Sequence, residues 1–158
     1  MYNVLIVEDD PMARKLLEIF VATSDNYHLV PSLDSAAMVE LYCMTNHVDL
    51  VLMDVCTSMD ANGIEAAVKL KKNYPQIKII IMTSQPEYSY IDQARKIGVE
   101  SFWYKEPTAE ALLKMMDRTM ALALADKVAD GTLTMAQAKR WAKAMLWDNP
   151  VRFYGIKE

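Results

Sequence analysis

The chain has 158 residues, 53% of them hydrophobic, and a formal charge of −4 at pH 7, which is room for one domain of ordinary size with a real core plus a modest appendage. Residues 1–124 hold 11 basic and 17 acidic side chains, and residues 125–158 hold 6 and 4, so neither part carries the basic stripe of a nucleic-acid surface. No apolar run approaches the roughly 18 residues of a membrane span. The start, "MYNVLIVEDD", turns acidic without a basic flank and does not read as a signal peptide. Cys43 and Cys56 fit no metal or disulfide spacing and are expected to be thiols in a reducing cytosol.

In chain order, Val4–Val7 is a short β-branched strand. Asp10-Pro11 opens a helix, with Asp at the N-cap and Pro at the first helical position; Leu16, Leu17, Phe20 and Val21 form its apolar face. Tyr27–Pro31 reads as a second strand. Asp34 or Ser35 caps a second helix reaching about Met44. Leu50–Met53 is a third strand. A helix runs from Gly63 to about Asn73, with Ile64, Ala67, Val68 and Leu70 inward, and Pro75 ends it. Ile77–Met82, "IKIIIM", is the strongest strand signal. Glu87–Ile97 is a helix stopped by Gly98, Ser101–Tyr104 a fifth strand, and Thr108 caps a long helix to about Ala129.

The strands are continuously apolar rather than alternating, which implies burial on both faces. Alternation of strand and helix implies a parallel sheet between helical layers, and right-handed crossovers narrow the topologies. The expected fold is a flavodoxin-like doubly wound α/β domain, five parallel strands in order 2-1-3-4-5, followed by a C-terminal helical extension. In such sheets the ligand site lies beyond the C-terminal strand ends, where strands 1 and 3 diverge.

The residues that end those strands are not a random set. Strand 1 ends in Glu8, Asp9 and Asp10, strand 3 in Asp54, strand 4 in Thr83-Ser84 and strand 5 in Lys105. Two unit charges about 4 Å apart at an effective dielectric near 20 repel by about 4 kcal/mol. A carboxylate cluster therefore calls for cations. Lys105 offsets part of the charge, and a hard divalent ion such as Mg²⁺ offsets more. One Asp after a strand is an ordinary turn residue, and Asp10 has a sufficient role as helix cap. Four chemically matched strand ends are a different matter.

"VLIVEDDP", "LVLMDV", "IIIMTS" and "FWYKEP" together resemble the receiver domain of two-component response regulators, over residues 1 to about 122. The resemblance implies that Asp54 accepts a phosphoryl group from the phosphohistidine of a sensor histidine kinase. It implies Mg²⁺ (or Mn²⁺) held by Asp9, Asp54 and the backbone carbonyl of Cys56, with Glu8 acting mostly through a metal-bound water. Lys105 would pair with a phosphoryl oxygen and Thr83 would hydrogen-bond the phosphoryl group. Thr83 and Phe102 would form the switch, shifting the face made by the fourth helix, fifth strand and fifth helix. Tyr88, Tyr90 and Trp103 are expected on or near that face, where a partner or a second copy of the chain would dock.

Three features depart from the receiver pattern. "DVCTSMDANG" places Gly63 nine residues after Asp54, one later than usual and without a proline, so this loop is expected to be reshaped around Cys56. Glu106 separates Lys105 from Pro107, where receivers commonly have proline directly. The chain also continues past the receiver. The reading divides it into a receiver, residues 1–124, and a helical extension, residues 125–158. In "TMAQAKRWAKAMLW", Thr134 and Gln137 form a capping box, and Ala138, Trp141, Ala142, Met145 and Leu146 share one face. That helix is expected to pack on the receiver, on a second copy of the chain, or on a partner. The ending "WDNPVRFYG" faintly resembles the C-terminal segment of amidohydrolase-type enzymes, whose metal-binding histidines are absent. The extension is too short and too weakly basic for a DNA-binding output domain, so direct nucleic-acid binding is not expected.

The functional expectation is a cytoplasmic phosphorylation switch, not a turnover enzyme, that controls a partner, dimerisation or an output domain, transcriptional regulation among the outputs. The alternative is a pseudo-receiver, a protein-interaction module that works without phosphorylation. A haloacid-dehalogenase-like phosphatase would want Asp where Cys56 stands. A flavodoxin would receive a phosphate where Glu8-Asp9-Asp10 repels one.

Overall fold

The computed structural model describes residues 1–84, 88–105 and 108–143. In chain order the elements are β1 (Tyr2–Val7), α1 (Pro11–Ala22), β2 (Tyr27–Leu29), a 3-10 turn (Ala36–Met38) leading into α2 (Val39–Thr45), β3 (Leu50–Asp54), β4 (Cys56–Thr57), β5 (Ala61–Asn62), α3 (Gly63–Asn73), β6 (Lys78–Thr83), α4 (Tyr88–Ile97), β7 (Ser101–Tyr104), α5 (Ala109–Ala129) and α6 (Met135–Lys143). The main sheet has the order β2-β1-β3-β6-β7, and every pairing in it is parallel. This is the expected 2-1-3-4-5 sheet; β4 and β5, a separate antiparallel pair, only shift the numbering.

Alternate residues of each strand feed two cores. Val4, Ile6, Leu50, Leu52, Ile80, Met82 and Trp103 face a layer built from Leu17 and Val21 of α1 and Leu112, Met116 and Met120 of α5. Leu5, Val7, Val51, Met53, Ile79 and Ile81 face α2, α3 and α4 through Val39, Ile64, Leu70 and Ala94. Double burial is why these strands read as continuous apolar runs.

The helix starts follow local chemistry. Asp10 accepts from the backbone N–H groups of Met12 and Ala13 at 2.7 and 2.9 Å, with Pro11 at the first helical position. Those two bonds hold its carboxyl below the usual range. Asn62 caps α3 in the same way, and Thr134 and Gln137 bond reciprocally at the start of α6. Thr108 stands at the N-cap of α5 but makes no side-chain cap bond. Ser35 caps the 3-10 turn rather than α2 itself.

Some orientations differ from expectation. Leu16 is 42% and Val68 48% exposed; each lies at the border of its helix's apolar stripe, where periodicity cannot separate inside from outside. Trp103 does not face a partner. It is buried in the α1/α5 layer, its Nε1 without a hydrogen bond among the described residues. Tyr90 is half-buried against the opposite layer. Glu87, Glu106, Pro107, Met145, Leu146 and the "WDNPVRFYG" ending lie outside the described residues, as do the side chains of Tyr88 and Trp141. Among the described residues no helix is long and apolar enough to cross a membrane.

α5 continues without interruption through residues 124 and 125 to Ala129, and Gly131 at φ +80° turns the chain. α6 then packs back on α5, with Ala138 buried in the same layer as Leu124.

Candidate functional site

Parallel strands place their C-terminal ends on one rim. Registers Val7↔Met53 and Asp54↔Met82 set Glu8 beside Asp54 and Asp54 beside Thr83. Thr83↔Tyr104 brings Lys105 to the same edge, and the Lys105 N–H donates to the Thr83 carbonyl at 2.9 Å. Residues up to 97 positions apart in the chain thus meet because four strands stop together.

Asp54 and Glu8 are buried, and Asp9 is exposed. A carboxylate oxygen from each of the three lies within 4.8 Å of the others. Lys105 Nζ sits 3.0 Å from Asp54 Oδ2 and 2.5 Å from Glu8 Oε2. Lys105 thus pairs directly with both buried carboxylates. Burial pushes the Asp54 carboxyl up to about 6; Lys105 pulls it down, Glu8 pushes it further up, and the Val55 N–H bond pulls it down. Burial alone would lower the Lys105 ammonium, but Glu8 and Asp54 outweigh it and the pKa stands above its ordinary value. Among the described residues, one cation thus pairs with two carboxylates and has a third, that of Asp9, beside them. An under-compensated group of three carboxylates whose oxygens lie within 4.8 Å of one another fits a small hard divalent cation.

Thr83 is buried at the end of β6. Phe102, two residues before the edge of β7, packs partly buried against the α3/α4 layer, its ring 5.4 Å from that of Tyr104 in an edge-to-face pair. All six side chains singled out in the sequence, Glu8, Asp9, Asp54, Thr83, Phe102 and Lys105, therefore lie on or next to this rim.

The loop after Asp54 is indeed reshaped, into the β4–β5 hairpin. The hairpin's loop is three residues long, Ser58 to Asp60, and Met59 and Asp60 in it both take positive φ, 65° and 51°. The hairpin returns the chain so that the Gly63 N–H bonds the Val55 carbonyl at 2.8 Å. A Cβ at Gly63 would lie 1.9 Å from the Asp54 carbonyl oxygen, so only glycine lets α3 start there.

Sequence reasoning missed three supports. Arg14 of α1 reaches back and donates to the Glu8 carbonyl at 2.6 Å. Thr57 and Ser35 join the hairpin to the loop before α2. None carries a local signal, because each works through contacts set by the fold.

Comparison with known proteins matches residues 4–117 to the family model for the response regulator receiver domain. The chain belongs to the response regulator receiver family. Among relatives of this receiver is the response regulator protein VraR of Staphylococcus aureus, 30% identical over 119 residues, covering 74% of this chain and 56% of that protein. The chain spans about half the length of the curated relatives it matches. Similar solved structures include a CheY-like response regulator receiver domain from Methanospirillum hungatei JF-1, with TM-score 0.73, 18% identity and coverage of 80% of this chain and 98% of that one. Another is the signal receiver domain of a modulated diguanylate cyclase from Desulfovibrio desulfuricans G20, with TM-score 0.72, 21% identity and the same coverage. Those two establish the fold alone. The receiver family consists of phosphoacceptor switches of two-component systems, typically dependent on Mg²⁺.

Proposed function

We propose that residues 1–124 work as a phosphorylation switch with Asp54 as phosphoacceptor, and that residues 125–158 are an extension to it. The observation that carries this is the meeting of Lys105 Nζ with Asp54 Oδ2 at 3.0 Å, beside Glu8 and Asp9. An Asp54 oxygen attacks the phosphorus of a sensor kinase's phosphohistidine; the P–N bond breaks, imidazole leaves, and an acyl phosphate forms. Asp9, Asp54 and the Cys56 carbonyl would hold Mg²⁺ directly and Glu8 through water. When bound, that ion neutralises charge on the transferring phosphoryl group. Lys105 moves from carboxylates to a phosphoryl oxygen, and Thr83 offers its hydroxyl to another. Chemistry of this kind rests on positioning and charge neutralisation.

Once Thr83 turns to the phosphoryl group, Phe102 repacks, and the α4–β7–α5 face shifts between two populations. A partner, a second copy or an output module reads that face; α6 is a second candidate surface for a homodimer. The switch requires no turnover of external substrate.

Incubation with acetyl phosphate and Mg²⁺ should add one phosphoryl mass to the intact protein. Asp54→Asn or chelation should remove the adduct, and Lys105→Ala should reduce it at least tenfold. A wild-type chain that stays unlabelled under these conditions and with active kinases would instead support the phosphorylation-independent interaction module.

A further inference from the structure

We propose that Thr57 is a positioning residue of the metal site, its hydroxyl fixing the backbone that carries the Cys56 carbonyl. This rests on the reading of the rim as a divalent-cation site.

The β4–β5 ladder has only two residue pairs, Cys56↔Asn62 and Thr57↔Ala61. A ladder that short does not hold itself together in water. Its tip is in left-handed conformation at two non-glycine residues, which weakens it further. Yet this hairpin begins two residues after Asp54. Something outside the ladder must hold it.

The hold comes from the loop before α2. Thr57 Oγ1, on a buried residue, accepts the Ala36 N–H at 2.8 Å and donates to the Ala61 carbonyl at 2.9 Å. Next to it, the Ser58 N–H donates to the Asp34 carbonyl at 3.2 Å, and Ser35 Oγ donates to the Ser58 carbonyl at 2.7 Å. Thr57 is the point where the cross-hairpin bond and the loop bond meet in one oxygen. A hydroxyl can serve as donor and acceptor at once.

The geometry of the Cys56 carbonyl follows from its neighbours. The Val55 carbonyl points at α3's first residue, taking the Gly63 N–H. Successive carbonyls of an extended chain alternate in direction, so that of Cys56 is turned away from β5. The residue that fixes this turn is Thr57, adjacent in sequence. In a loop lengthened by one residue and lacking proline, the Thr57 strap does the work of stiffening that carbonyl.

The test is Mn²⁺ binding to the full chain, followed by electron paramagnetic resonance without any phosphodonor. Thr57→Val keeps the shape, removes the bond to the Ala61 carbonyl and leaves the buried Ala36 N–H unpaired; it should weaken Mn²⁺ binding about tenfold. Thr57→Ser retains the hydroxyl and should stay within twofold of wild type. Glu100→Gln, which loosens an ion pair at the other end of the sheet, should lower stability without moving Mn²⁺ affinity. If Thr57→Val does not fold, Ser35→Ala loosens the same strap from the other side and should weaken binding at least threefold. Folded Thr57→Val or Ser35→Ala protein with wild-type affinity overturns the proposal, as does a Thr57→Ser loss equal to that of valine. A wild-type chain that binds no Mn²⁺ overturns the metal reading itself, and Thr57's role with it.

Discussion

Asp54 is a carboxyl held at odds with its charge. Its pKa near 6 in the folded chain compares with about 3.9 in an unfolded one. The native state therefore holds the proton more tightly, and stability falls as pH rises from about 4 through 6, by about 2–3 kcal/mol for the metal-free protein. Replacing the ionisable group removes this loss. In chelator, Asp54→Asn should be about 2 kcal/mol more stable than wild type at pH 7, with the difference nearly gone at pH 4. Urea titrations at both pH values check this; an equal or less stable Asn variant at pH 7 would mean that the Lys105 contact outweighs burial. The same competition with protons should make divalent-cation binding weaken as pH drops below 6.

At the scale of elements, the β4–β5 hairpin is the least self-sufficient piece of the domain. Met59 is 67% exposed and sits at φ 65°, a region that costs an L-residue roughly 1 kcal/mol and that asparagine tolerates better. Nothing is buried by the methionine that asparagine would lose. Met59→Asn should therefore stabilise the protein by about 0.5–1 kcal/mol, measured by denaturant midpoint at constant m value. A destabilising result would place the side chain in a contact that its exposure contradicts. At the opposite end of the sheet, Glu100, just before β7, ties α3 to β6. It accepts the Ile79 N–H at 2.9 Å and pairs with Lys71 of α3 at 2.5 Å and Lys78 of β6 at 3.5 Å.

For the molecule as a whole, the site and α6 are separated by the length of α5. This helix starts four residues after Lys105 and runs 21 residues, about 30 Å. α6 packs on its far end, where Ala138 joins the α1/α5 layer. Ala138→Glu should cost about 2 kcal/mol by burying a charge without a partner, while leaving the rate of acetyl phosphate labelling unchanged. Urea titration and intact-mass kinetics on one preparation test both halves. A parallel loss of labelling would show that the two ends of α5 are energetically coupled.

Sequence alone determined the layered sheet, its strand order and the strand-end residues Glu8, Asp9, Asp54, Thr83 and Lys105 that meet on the rim. Buried parallel strands must be continuously apolar, and the polar residue that interrupts each run marks where it surfaces. The same double burial hid which face each strand residue takes: Trp103 and Phe102 are neighbours in an aromatic run, yet point into opposite layers. The hairpin after Asp54 was equally hidden, because strands of two residues have no periodicity and are fixed by Thr57, Ser35 and Ala36 across more than 20 positions of chain. Local patterns record what each segment needs to bury; only the folded chain decides which distant hydrogen-bond partner comes within 3 Å.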